Sequence, residues 1–180
     1  METLPVIRGP RVRLRPLRET DAPALFALHG DPQVMRYWST TAWTSMDDAF
    51  EHLRHAERVQ ADGAYPWGIA LSDTDELVGS VSLFNISKTH RRAELGYSLA
   101  SAHWGHGLAG EALRLALTHV FDVLELERVE ADTDPRNTGS RRLLERMGFV
   151  LEGTMRKRWF VADEWCDTSW YGLLREEFVR

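Results

Sequence analysis

The segment His103-Trp104-Gly105-His106-Gly107-Leu108-Ala109-Gly110-Glu111-Ala112 places three glycines at the opening of an apolar-periodic stretch. Glycine adopts positive φ and lets the backbone approach a ligand closely. A helix N-terminus adds unpaired N–H groups and partial positive charge. Together these suit an anion of the pyrophosphate kind. A turn without a ligand is the alternative, but glycines there oppose helix initiation unless their N–H groups are used.

Other residue types in the chain could do chemistry. Glu94 is a candidate proton acceptor, or a surface carboxylate paired with Arg91 and Arg92. Asn137 precedes a helical stretch and suits an N-cap. Ser140 follows it by one turn, on the side of Leu143, Leu144 and Met147, which aims its hydroxyl inward. It could also bond back to the cap. Tyr97 reads as a packing residue. Tyr37, Trp38 and Trp43 sit in an irregular segment, as a pocket wall or as anchors of a satellite core. His103 and His106 look metal-like, but no third ligand follows at suitable spacing, so no metal is expected. Cys166 has no partnered base beside it and reads as inert.

Gly105 to Gly110 also match the dinucleotide pattern GxGxxG, with Glu130 and Asp132 about 20 residues on. That would imply a nicotinamide oxidoreductase. The surrounding elements oppose it. The segment Ser101-Ala102-His103-Trp104 separates the turn from its strand, and only one strand–helix–strand step follows.

The elements that must position these residues follow from periodicity. A half-buried strand covers 11–17, with Val12, Leu14 and Pro16 alternating with charge. Thr20 can cap a helix over 21–29, and Ser45 one running to about Ala61. Strands at 66–71, 76–86 and 92–99 follow, with Thr74-Asp75 as the first turn. A long helix covers about 107–124, where Ala109, Leu113, Ala116, Val120 and Leu124 form one stripe. A strand at 128–133, a helix at 138–147 ended by Gly148, a strand beginning at Phe149-Val150-Leu151 and a last strand at 168–174 complete the order. Helices alternate with strands only in the second half, which predicts an α/β fold with a mixed sheet of about seven strands and about four helices.

The chain of 180 residues is the size of one domain, 1–180. Apolar residues at 43% and charged residues at 27% support a single core. One cysteine precludes an internal disulfide and fits a reducing compartment. The N-terminus lacks a signal-peptide pattern, and no apolar run approaches a bilayer span, so a cytoplasmic location off the membrane is expected. A net charge of −5 disfavours nucleic-acid binding. It serves solubility and could also steer a cationic substrate. A homodimer is compatible with the sequence, which does not fix the oligomeric state.

The chain resembles the GNAT superfamily of N-acetyltransferases, and within it the ribosomal-protein N-terminal acetyltransferases, the Rim group. The carrying segments are Ala93-Glu94-Leu95-Gly96-Tyr97, Trp104 to Ala112, Asn137-Thr138-Gly139-Ser140 and Arg146-Met147-Gly148-Phe149. The opening Leu14-Arg15-Pro16-Leu17 and Asp21-Ala22, and the run Arg156 to Phe178, fit the same branch. The resemblance implies the GNAT acyl-CoA N-acyltransferase fold, with acetyl-CoA bound between the fourth and fifth strands. It implies that the turn of Trp104, Gly105, His106, Gly107, Ala109 and Gly110 holds the pyrophosphate through backbone amides. The superfamily motif prefers Gln or Arg where Trp104 stands; an aromatic there is common in the Rim-like branch. It further implies that Asn137 contacts the pantetheine arm and that Glu94 is the base, acting through water. Ser140 would then lie where the thiol arrives and protonate the departing thiolate, and Tyr37 and Trp38 would wall the acceptor pocket. The implied acceptor is a primary amine, foremost a protein or peptide N-terminal α-amine such as that of a ribosomal protein. Small amines (polyamines, amino acids, drugs) and a non-catalytic acyl-CoA sensor are the alternatives.

Overall fold

The structure, a computed structural model, describes residues 4–179. An eight-stranded sheet has the order β1-β2-β3-β4-β5-β6-β8-β7, with strands at Ile7–Arg8, Val12–Pro16, Tyr65–Leu71, Leu77–Ser87, Arg92–Leu99, Arg128–Thr133, Val150–Val161 and Glu164–Leu174 in chain order. Five helices accompany it: α1 (Ala22–His29), α2 (Pro32–Met35), α3 (Met46–Ala61), α4 (Leu108–Asp122) and α5 (Thr138–Arg146). The mixed α/β architecture is the one expected. The added strand is the two-residue β1, and the added helix is the single turn α2 inside the segment read as irregular.

Helix and strand patterning explains the layers. Val78 joins the main core beneath α4, while its neighbour Leu77 packs with Ala22, Leu25, Ala49 and Leu53 of α1 and α3. Adjacent strand residues face opposite sides of a sheet, so α4 and the α1–α3 pair cover opposite faces. Ala112, Leu113, Ala116, Leu117, Val120 and Phe121 of α4 are all almost fully buried in that main core. At roughly 1.5–3 kcal/mol per large buried apolar side chain, this stripe is what fixes α4 to the sheet.

Local chemistry sets most boundaries. Ser45 caps α3 in a capping box with Asp48, and Gly148, at φ +95, ends α5 as expected. The N-cap of α1 falls on Asp21 rather than Thr20. The Asp21 carboxylate is drawn away to a bidentate pair with buried Arg15, at 2.8 and 2.9 Å. Arg15 also reaches Asp75 at 2.8 Å, and Arg13 and Arg18 bond the same carboxylate. Three arginines on one aspartate, in a turn where Asp75 itself has φ 62, tie β2 to the β3–β4 connection.

The last two strands are longer than their sequence pattern suggests. β7 and β8 form a hairpin closed by Ala162-Asp163, both at positive φ, the geometry of a type I′ turn. β7 is exposed along nearly its whole length, so no apolar alternation marks it. A bulge at Lys157, with φ 51, is held by a bond from its N–H to Asp167 Oδ1 at 2.8 Å.

Candidate active site

The parallel pair β5–β6 holds register only from Arg92–Arg128 to Glu94–Glu130. Beyond that point β6 stays paired to β8 as far as Thr133, while β5 stays paired to β4 as far as Leu99. The two strands therefore diverge, and the sheet opens into a V at its centre. A cleft of about 670 Å³ occupies the opening.

Alternation along β5 sorts the expected residues onto two faces. Ala93, Leu95 and Leu99 belong to the core under α4, and Tyr97 is packed against that core. Tyr97 therefore projects toward the α4–α5 side, and Glu94 toward the side of α1–α3. The cleft passes between them and touches Tyr37, Trp38, Glu94, Tyr97, Asn137 and Ser140. One cavity thus brings together these six residues from three separate stretches of chain.

On the α5 side, Asn137 Oδ1 accepts the Ser140 N–H at 3.1 Å, so Asn137 is the helix cap while also lining the cleft. The Ser140 hydroxyl does not bond back to the cap. Its Oγ lies 2.7 Å from the Tyr97 phenol oxygen. Tyr97, read from sequence as packing before chemistry and as the alternative acid to Ser140, is half of a hydroxyl pair. Burial pushes its phenol up to about 12, although the Ser140 bond works the other way.

On the opposite face, Asn85 donates to Glu94 Oε1 at 3.0 Å and fixes its carboxylate. Asp132 faces Glu94 from β6. Crowding by the cleft walls and then the Glu94 charge push the Asp132 carboxyl above the usual range, against Arg158 and the Thr168 hydroxyl. Trp159 Nε1 donates to Thr168 Oγ1 at 3.1 Å. An indole N–H is only a donor, so the Thr168 hydrogen is free to serve Asp132. Neighbouring Glu130, by contrast, is neutralised by Arg92 and Arg128 at 2.8 Å each. Asp132 was visible in the sequence only through the rejected dinucleotide pattern; nothing local marks it as a cleft residue. Cys166, also on the cleft wall, receives an Arg136 N–H at 3.4 Å.

The glycine turn lies at the surface beside this cleft rather than within it. Gly105 and Gly107 both have φ +78, which L side chains rarely adopt. A Cβ on Gly105 would meet nothing within 4 Å, so its conformation and not crowding demands glycine. Gly107 is the N-cap of α4, and no side chain caps that end. The first helical bond runs from Glu111 N–H to the Gly107 carbonyl. The amides of Leu108, Ala109 and Gly110 consequently face out of the helix end. Trp104 is pinned by its indole N–H to the Leu99 carbonyl at 2.7 Å, and His106 is exposed.

Arg11 was missed in sequence. Its Nη1 donates to the His106 carbonyl at 2.8 Å and its Nε to Glu111 Oε2 at 2.8 Å. Glu111 Oε1 accepts the N–H groups of Arg11 and Val12. Despite desolvation, these Arg11 and Val12 bonds hold the Glu111 carboxyl below its usual range. β2 thereby clamps the turn across roughly a hundred residues of chain, and a guanidinium sits 3.3 Å from where a Gly107 Cβ would be. An open amide array with an adjacent cation fits the pyrophosphate of a coenzyme A thioester. Among the described residues, no three His, Cys, Asp or Glu side chains are grouped to hold a metal.

Comparison with known proteins gives the same reading. The family model for the acetyltransferase (GNAT) domain matches residues 11–150. An uncharacterised N-acetyltransferase of Bacillus subtilis, YoaA, is 32% identical over 172 residues, covering 95% of this chain and 97% of its own. The spermidine N(1)-acetyltransferase of Escherichia coli is 30% identical over 162 residues, covering 86% and 81%. Among solved structures, Mycobacterium smegmatis RimJ in complex with CoA-disulfide superposes with TM-score 0.85 at 27% identity, covering 98% and 90%. A sheet opened between its parallel strands, a glycine turn leading into α4, and matches along most of the chain converge on one assignment: this protein is an N-acetyltransferase of the GNAT family.

Proposed function

We propose that the protein transfers the acetyl group of acetyl-CoA to a primary amine by direct attack, and that the amine is foremost the N-terminal α-amine of a peptide or protein, a ribosomal protein among the candidates. The observation that carries this reading is the placement of Glu94 and the Ser140 hydroxyl on opposite faces of the split sheet, within one cleft. A base and a donor on either side of an opening allow the amine to arrive from one side and the thiolate to leave on the other.

Glu94, oriented by Asn85, accepts the proton shed by the attacking amine, through a water molecule. Ser140 hydrogen-bonds the sulfur as charge develops there. The turn at Gly105–Gly110 and Arg11 hold the pyrophosphate, and Asn137, at the cleft wall, lies along the pantetheine. Tyr37 and Trp38 wall the acceptor side. An α-amine suits a single modest base, since its pKa is about 8 against about 10.4 for lysine.

A second reading is a small polyamine acceptor. Glu94 and Asp132 face the cleft with Arg158 as their opposing cation, which favours a positively charged substrate, and the E. coli relative acts on spermidine. An acceptor screen with thiol release as readout, followed by product mass spectrometry, tests both. Peptides carrying an α-amine and a lysine are expected to gain one acetyl group at the α-amine. Exclusive lysine modification overturns the α-amine reading, turnover of spermidine alone installs the polyamine, and acetyl-CoA binding without turnover of any amine identifies a sensor.

A further inference from the structure

We propose that Tyr97 is a positioning residue for the leaving-group step: its phenol donates to Ser140 Oγ and leaves the single Ser140 hydrogen aimed at the departing sulfur. The inference rests on the acetyl-transfer reading above and goes beyond it by giving Tyr97 a role.

The geometry is specific. Tyr97 is on β5 and Ser140 in the first turn of α5, and the two elements lie on either side of the opening where β5 and β6 no longer share backbone hydrogen bonds. Their oxygens are 2.7 Å apart, the mode for an O–H···O bond. The phenol is also 3.4 Å from the Ser140 carbonyl, a much weaker contact. The Ser140 N–H is already committed to Asn137 Oδ1 at 3.1 Å, which fixes the backbone of that turn.

Hydroxyl bookkeeping then sets the direction. Serine has one hydrogen and two lone pairs. If Ser140 donated to Tyr97, its hydrogen would be consumed within the pair and the sulfur would meet only lone pairs from serine. If Tyr97 donates, Ser140 keeps its hydrogen for the sulfur, and the chain Tyr97 O–H to Ser140 O–H to sulfur is mutually polarised. Burial holds the phenol protonated up to about 12, so Tyr97 keeps a hydrogen to donate; the other groups that act on the phenol are Arg146 and Tyr171. No proton leaves Tyr97 in this scheme. The amine nitrogen bonds to the thioester carbon as the carbon–sulfur bond breaks with its electron pair going to sulfur; the amine's proton passes through water to Glu94, and the thiolate takes its proton from solvent. Ser140 and Tyr97 stabilise the charge in between.

The test compares Tyr97→Phe, Ser140→Ala and the double variant, with acetyl-CoA Kd and thermal midpoint measured alongside steady-state kinetics. Phe keeps the ring that packs against the core, and only the hydroxyl is lost. A bond of ordinary net strength predicts a kcat about tenfold lower in Tyr97→Phe, with Kd and thermal midpoint unchanged. The double variant should be no slower than Ser140→Ala, because Tyr97 acts only through Ser140. A fluorinated tyrosine at the same position, a stronger donor of the same shape, should raise kcat, a response that a purely structural hydroxyl would not give. Wild-type kcat in Tyr97→Phe overturns the proposal. So does a double variant slower than Ser140→Ala by the full Tyr97→Phe factor, since Tyr97 would then reach the sulfur independently. A wild-type protein that turns over no amine would instead sink the acetyl-transfer reading, and the two failures are distinct.

Discussion

Glu94 and Glu130 lie side by side in register and have different fates. Two arginines neutralise Glu130, whereas Glu94 is held by the neutral Asn85 side chain and opens onto the cleft. That contrast leaves Glu94 open to the cleft, as the proposed base must be. Glu94→Gln should lower kcat/KM by about 10²-fold or more near neutral pH. The defect should shrink as pH rises, because the amine then loses its proton unaided. A pH–rate profile checks this; a defect that stays constant with pH assigns Glu94 to acceptor binding instead. Asp132 enters the same profile, since it faces Glu94 and its carboxyl is raised.

At the level of elements, the decisive unit is the turn between β5 and α4. Two left-handed glycines present the α4 amides, and the Arg11–Glu111 clamp holds the turn against β2. Gly107→Asp would force an L residue to φ +78 and set a carboxylate against the anion that the turn should bind. The like charge would also compete for Arg11, which lies 3.3 Å from the added Cβ. Acetyl-CoA binding by calorimetry should be lost while circular dichroism shows a folded protein. Wild-type affinity in such a variant would place the phosphate cradle elsewhere.

For the whole molecule, the segment proposed as the acceptor wall packs on an aromatic cluster that should make stability depend on pH. His29 is buried between α1 and its neighbours, 4.5 Å from the Trp43 ring and edge-on to Trp38 at 5.6 Å. Its Nε2 has no hydrogen-bond partner among the described residues. Burial, and then the nearby His52, lower its pKa from 6.5 to about 4. Above 6.5 His29 is neutral folded and unfolded, so it costs nothing. Between about 6.5 and about 4 the unfolded chain takes up the proton first, and stability falls as pH falls. The span corresponds to about 3 kcal/mol at most. Thermal midpoints should therefore drop between pH 7 and pH 4.5, and His29→Phe should flatten part of that drop. Asp75, held below the usual carboxylate range against desolvation by three arginines, adds a loss in the same direction at lower pH. An unchanged slope in His29→Phe would mean that the histidine finds a partner or water in solution.

The amino-acid sequence alone determined whatever depends on neighbours along the chain. Ser45 and Asn137 cap their helices, Gly148 stops one, and Gly105 and Gly107 take the left-handed conformation, because each rests on a hydrogen bond or φ preference within a few residues. The strands β2 to β6 and the stripe of α4 were legible because burial on one face leaves a periodic apolar trace. The rest required the folded chain. β7 is exposed along most of its length, so only its start at Val150-Leu151 was legible, and the bulge at Lys157 that carries Arg158 and Trp159 to the cleft breaks even a regular alternation. The union of Tyr97 with Ser140, the approach of Asp132 to Glu94, and the grip of Arg11 on the glycine turn join residues 38 to 100 positions apart. Sheet order and the point at which β5 and β6 part decide those meetings, and both are set by how whole layers pack rather than by any local run of residues.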